Sequence, residues 1–412
     1  MNFSTPCQKI LARCALAALL LASPAVMAID LLVTTEFKPD VTKPGHNQFV
    51  NTTPVSGFCA NSPQHCAEGE FSIIVPGFQA TKVFDSTTND LDKHVFITLD
   101  GLTKRLTLTD TTNPANQIEV DFRWAFFSVR YNRLNGADGD LSGALSGTGV
   151  YPSGGCSGRV GNGGSHTYTH GWGVPDRLVS CYKILNDPPG YQASVGINEL
   201  SVGYILTTPS PMSLRSGTYE GEIVYRVGDV VNTPGYIGLG ATDYHGTDEI
   251  RIVIRATVEH MFHYTFPPGS ENVRLAPRGG WEQWIHGGRV PESLSKEVPF
   301  ELSSSSGFSI RMQCEYPQGQ GCGLKNTQGQ ATVPLEVSVT LPGFESNGRP
   351  VSQRLLTTGP QGLVVNPPDA PILYRRSQLD FRVQKNGVEQ IVREPGSVWR
   401  GVVTLIFDTE IQ

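Results

Sequence analysis

Apolar and polar residues alternate with period two along most of this chain, the pattern of strands that bury one face. Ile118, Val120, Phe122, Trp124 and Phe126 alternate with Glu119, Asp121, Arg123 and Ala125. Phe71 to Val75 is a shorter run that stops at Pro76-Gly77, and Leu200 to Leu206 leads into Pro209 and Pro211. Val95 to Leu99 reaches Asp100-Gly101 and resumes at Leu106, which predicts a hairpin. Later, Val298 to Leu302, Phe308 to Met312, Val337 to Leu341 and Leu379 to Val383 are short strands at sandwich-like spacing. Lys385-Asn-Gly387 predicts a turn after the last of them. Residues 142–181 break the pattern: they are rich in glycine, with almost no apolar alternation, and predict a long surface loop. No long segment repeats at the helical period, so the fold class is all-β.

Two segments resemble each other. Gly217-Thr-Tyr219-Glu-Gly221 and Gly396-Ser-Val-Trp399-Arg-Gly401 read as two copies of one pattern, a glycine, an aromatic residue and a second glycine, with a β-branched run following. After the first copy the chain supplies another strand, with Ile250, Ile252, Ile254 and Ala256 at every second position. After the second, nothing follows Gln412. The expectation is one complete β-sandwich over 29–256 and a second over 257–412 that lacks its last strand. Such a sheet leaves N–H and C=O groups and a hydrophobic cleft open until another chain fills them. Trp399, Val403, Leu405 and Phe407 share one face of the terminal run and are the candidate residues for strand complementation; Val402 and Ile406 lie on the other face.

Composition changes the picture at the N-terminus. Lys9 and Arg13 precede the apolar core Ala15–Leu21, and Val26-Met-Ala28 fits a cleavage site, so residues 1–28 read as a secretory signal. Cys14 raises a lipoprotein alternative, which the long apolar core beyond it disfavours. Cleavage takes the net charge from −6 to about −8, which disfavours nucleic acid as a partner. Six cysteines remain, in three sequence-local couples: Cys59/Cys66, Cys156/Cys181 and Cys314/Cys322. Neighbour pairing closes the shortest of the 15 connectivities, and an exported chain is expected to form three disulfides. The spacing does not suit zinc.

The glycine-rich stretch carries the candidate ligand-binding groups. Tyr168 and Trp172 offer an aromatic face for a sugar, with Asn162, His166, Asp176 and Arg177 as polar partners. The competing reading is a disulfide-braced loop whose aromatics pack on the sandwich. His166 and His170 would share a metal only on a helix, which the flanking glycines oppose. Asn135 to Asp140 lacks the ligand spacing and terminal glutamate of a calcium loop and reads as a solvated turn. No metal or cofactor is expected. No Gly-x-Ser-x-Gly elbow is present, and nothing in the sequence assembles a catalytic triad or carboxylate pair, so an enzyme is not expected. Trp281 and Trp284 have no role assigned by sequence.

The signal, two β-rich halves and the terminal Trp399-Arg-Gly401 strand resemble a two-domain tip adhesin, or adhesin-like minor subunit, of Gram-negative chaperone–usher fimbriae. Pro209-x-Pro211-Met-x-Leu214 to Gly221 also resembles the approach to the closing strands of such subunits. The resemblance implies immunoglobulin-like domains, an N-terminal receptor-binding one and a C-terminal incomplete pilin one. It implies as partners a periplasmic chaperone, an outer-membrane usher, the neighbouring pilus subunit and a host or surface receptor, glycan or protein. It also implies export through the periplasm to the fimbrial tip. A pilin ordinarily starts with a donor extension; here Ile29 to Phe37 begins directly as a strand, expected to pair within the first domain. The alternatives are a non-adhesive initiator or adaptor subunit, and a secreted glycan hydrolase.

Overall fold

The structure is a computed structural model that describes residues 28–409 except 41, 44, 135–139, 149, 186–189 and 246–247. Residues 1–27 of the signal segment and 135–139 of the turn expected over Asn135 to Asp140 lie outside the described residues.

The first lobe is one extensive sheet system of fourteen strands. Its principal members are β1 (Ala28–Phe37), β2 (Val95–Asp100), β3 (Lys104–Asp110), β4 (Gln117–Arg133), β5 (Ser157–Gly163), β6 (Thr167–Gly173), β7 (Leu178–Lys183), β8 (Gln192–Thr207), β9 (Gly217–Val227) and β10 (Glu249–Val258). The alternation read from Ile118 to Trp124 holds in β4, after which Ala125, Phe126 and Phe127 are all buried. There the second face is covered as well: Phe126 packs edge-on against Phe58 of the Cys59–Cys66 loop, 5.2 Å between centroids. The long antiparallel pair β4–β8 forms the middle of the sheet, and β10 lies between β9, antiparallel, and β1, parallel. The N-terminal strand therefore pairs within its own lobe.

The second lobe spans Phe262 to Asp408 in two sheets. The larger runs β11 (Phe262–Thr265), β12 (Ser293–Ser304), then β16, β15 and β14 in space, where β14 is Gly321–Asn326, β15 Thr332–Ser346 and β16 Ile372–Gln384. The smaller sheet centres on β13 (Phe308–Cys314), flanked by Leu363–Val365 and the terminal β18 (Val403–Asp408). Strand β17 (Trp399–Arg400) pairs with β14 instead, so the terminal run crosses from one sheet to the other at Gly401. The strand that ends the first lobe reaches Val258, so residue 257 falls inside it.

Three expectations are corrected. Lys385–Val392 is a helix, α1, not a turn, because Val388 and Gly387 pack against the β15–β16 surface. A Cβ at Gly387 would come 2.7 Å from Val383 Cγ1. Val95–Asp100 and Lys104–Asp110 are not a hairpin: β2 pairs with β7 and β3 with β4. The stretch 142–181 is only in part loop, since β5, β6 and β7 run through it. Glycines serve strands there because neighbours approach closely; a Cβ at Gly173 would sit 2.4 Å from Ser157 Oγ. All three cysteine couples form disulfides.

Candidate functional site

The two resembling segments occupy equivalent places, with Tyr219 matching Trp399. Tyr219 and Glu220 pair with Asp110 and Thr109 at the end of β3; Trp399 and Arg400 pair with Asn326 and Lys325 at the end of β14. Thr111 N–H donates to Thr218 O, and Thr327 N–H to Val398 O, both at 2.9 Å. At the next step the strands leave these neighbours, and both need glycine. A Cβ on Gly221 would lie 2.9 Å from Thr107 O, and one on Gly401 2.6 Å from Gly323 O. Ser397, not Gly396, is the counterpart of Gly217.

The other edge differs. Backbone groups of successive strand residues point to opposite edges. In β9 the even residues face away from β10, as Thr218 O and Arg226 N–H show, while Val227 N–H donates to Asp248 O on the β10 side. In the terminal run the even residues are likewise used: Val398 O accepts from Thr327 N–H and Val402 O from Glu315 N–H. The odd residues, Gly401, Val403, Leu405 and Phe407, face the edge where β10 would lie. Among the described residues, no strand pairs with β18 there.

Across this slot stands β11, which pairs with β12 alone. The floor is aromatic: Phe407 stacks on Tyr264 at 4.8 Å and lies 6.0 Å from Phe262 and 6.4 Å from Phe308. Phe266 stacks on Phe300 at 4.8 Å. Trp399, Val403, Leu405 and Phe407 all pack against the second core yet stay half-buried. Among the described residues, the first core has 45 buried apolar residues and 11 partly buried, and the second has 20 and 17. Phe262, Tyr264 and Phe266 were missed from sequence, although their period-two spacing was a signal.

The candidate ligand residues do not form one site. Trp172 is fully buried, its Nε1–H donating to Thr148 O, with its ring against Phe127 and His170. Its ring faces the core, because the even positions of β6 point inward. Tyr168 is buried too. Asn162 and His166 are exposed at the β5–β6 turn, where His166 Nδ1 contacts Ser165 Oγ. Asp176 and Arg177 lie past the far end of β6, about 20 Å along the strand. There Asp176 accepts from the backbone N–H and hydroxyl of Thr103.

One constellation escaped the sequence reading. Thr81 Oγ1 lies 2.5 Å from His245 Nε2, and His245 Nδ1 lies 3.0 Å from Asp243 Oδ2. The order is that of a hydrolase relay, but the histidine and aspartate are exposed and Thr81 N–H is bound to Asp243 O. Asp243 Oδ1 also accepts from His245 N–H, an Asx-turn that accounts for the ring's position. No group of three or more His, Cys, Asp or Glu side chains is arranged for a metal among the described residues.

The sequence matches no protein-family model and no curated protein. Among solved structures it is similar to CfaE, the adhesive subunit of CFA/I fimbria of enterotoxigenic Escherichia coli, at 14% identity and TM-score 0.27 over 94% of each chain. A chain of a chaperone–tip adhesin complex of CFA/I fimbriae is similar at 13% identity and TM-score 0.26, over 93% of this chain and 97% of that one. A chain of the CsuC–CsuE chaperone–tip subunit complex from Csu pili of Acinetobacter baumannii follows at 10% and 0.21, over 69% and 84%. The open edge of β18 is a property of this chain's own hydrogen bonding and does not depend on these likenesses.

Proposed function

We propose that this chain is a tip adhesin of a chaperone–usher fimbria, with residues 29–256 presenting the receptor surface and residues 257–412 joining the fibre. The observation that carries this reading is the slot between β18 and β11, whose counterpart between β9 and β1 is filled by β10. A strand donated first by a periplasmic chaperone, then by the neighbouring subunit at the usher, would satisfy the odd-numbered backbone groups and cover the half-buried aromatics. The pairing of β1 inside the first lobe supports a terminal position, because that strand is not free to be donated.

The test is complementation. The mature full chain alone is expected to aggregate, and a peptide with alternating apolar residues is expected to keep it monodisperse in size-exclusion chromatography. A stable monomer without any partner strand would overturn the reading. Receptor binding is tested on the complemented full chain with a glycan array, followed by His166→Ala and Arg177→Ala. Burial of Trp172 and Tyr168 favours a second reading, a non-adhesive initiator or adaptor subunit, if no glycan or cell surface is bound. Neither reading involves turnover: no product should be released from glycan or ester substrates.

A further inference from the structure

The chain carries its own description of the strand that is absent. Shifting by 180 residues maps β9 onto the terminal run, and the pairs along Thr111–Thr218 and Thr327–Val398, Tyr219–Asp110 and Trp399–Asn326 agree with that shift. In the first lobe β10 lies antiparallel to β9 with Tyr219 opposite Ala256, Gly221 opposite Ile254, Ile223 opposite Ile252 and Tyr225 opposite Ile250. Ala256, Ile254, Ile252 and Ile250 are all fully buried. The register thus sets a small residue, Ala256, opposite the large Tyr219 and bulky isoleucines opposite Gly221, Ile223 and Tyr225.

We infer that the slot in the second lobe selects a strand of the β10 type, antiparallel to β18, with a small residue opposite Trp399 and bulky β-branched residues opposite Gly401, Val403 and Leu405. This rests on the strand-accepting reading above and adds to it an orientation, a register and a size at each position. The occupant is a partner's strand with that apolar series, because β10 itself is held on both sides by β1 and β9.

The probe is a synthetic peptide with the sequence of residues 248–258, added to the full mature chain. It is expected to raise the melting temperature by about 5 °C or more. Its register is read by disulfide trapping. Leu405→Cys in the chain should capture the peptide bearing Ile250→Cys, and Val403→Cys the peptide bearing Ile252→Cys. Trapping of Leu405→Cys by the peptide bearing Ile254→Cys, which faces the same way four residues off, should be at least about tenfold slower. A peptide with Ala256→Phe should bind about tenfold more weakly, and Trp399→Ala in the chain should restore it. Equal trapping at both peptide positions, or undiminished binding of the Ala256→Phe peptide, would overturn the inferred pattern while leaving the slot intact. If no alternating peptide is trapped or stabilises the chain, the slot itself is refuted.

Discussion

His170 shows how a single residue can mislead in sequence and still matter. Spaced four from His166, it invited a metal reading; in the fold it lies in the aromatic core, stacked on Tyr131 at 5.3 Å and edge-on to Phe127. Neither ring nitrogen has a hydrogen-bond partner. Burial, with the nearby Lys82 charge adding to it, pulls its pKa down to about 3. The unfolded chain takes up a proton near the ordinary pH of 6.5, and the folded chain does not until about 3. Stability contributed at neutral pH is therefore lost as pH falls through that window, at roughly 1.4 kcal/mol per pH unit. His170→Phe keeps the stacking and removes the titration. Urea midpoints measured from pH 7 to pH 4 should fall less steeply in the variant than in the wild type; equal slopes would reject this account. The aromatic pattern of β6 was readable beforehand, but which rings faced inward was not, because glycines on both sides hid the strand.

At the scale of the element, the terminal run is governed by Gly401. Strand β17 hugs β14 so closely that any Cβ there meets the Gly323 carbonyl, and the crossing to the smaller sheet begins at that point. Gly401→Ala should cost about 1–3 kcal/mol by displacing backbone rather than a flexible side chain. Gly221→Ala should behave alike, since it meets Thr107 O and Leu108 Cδ2. Thermal unfolding of the two variants checks this, and a neutral Gly401→Ala would show that the crossing is not tight. The Cys156–Cys181 bridge closes a separation of 25 residues around β5 and β6 and ties the outer edge of β7 to them. Replacing both cysteines with alanine should cost about 3 kcal/mol, with the loss of melting temperature as the measure. The glycine-rich stretch looked like loop because its strands are paired through backbone, with few side chains to supply an alternating signal.

Across the whole molecule, the two lobes meet at His260. Its Nε2–H donates to Leu214 O at 2.8 Å, which leaves Nδ1 to accept from the Ser305 hydroxyl at 3.1 Å. Its backbone N–H donates to Ser216 Oγ, and the ring meets Phe37 edge-on at 5.6 Å. Ser305 N–H donates to Met261 O alongside, Met261 N–H donates to Ser305 Oγ, and Asn47 Nδ2 donates to Asp369 O. His260→Ala removes a side chain that bonds Leu214 of the first lobe and Ser305 of the second. Solution scattering should then show a larger radius of gyration and proteolysis should speed up near residue 260, with each lobe's unfolding unchanged. Unaltered scattering would mean the junction is held by its backbone alone.

The all-β class, the local pairing of cysteines, the internal resemblance between Tyr219-Glu-Gly221 and Trp399-Arg-Gly401, and the apolar face of the terminal run are legible in the order of residues alone. These follow from period-two patterning and short separations, which are local properties of the chain. That β1 pairs inside its own lobe, that Trp172 is core and that β11 is an edge strand emerge only when the chain is folded. Those outcomes depend on which distant strand occupies each edge, and period-two patterning shows that a face is buried without naming the neighbour beside it. The fold thus leaves β18 and β11 each with an edge that no strand pairs among the described residues, and brings Phe407 of the one onto Tyr264 of the other.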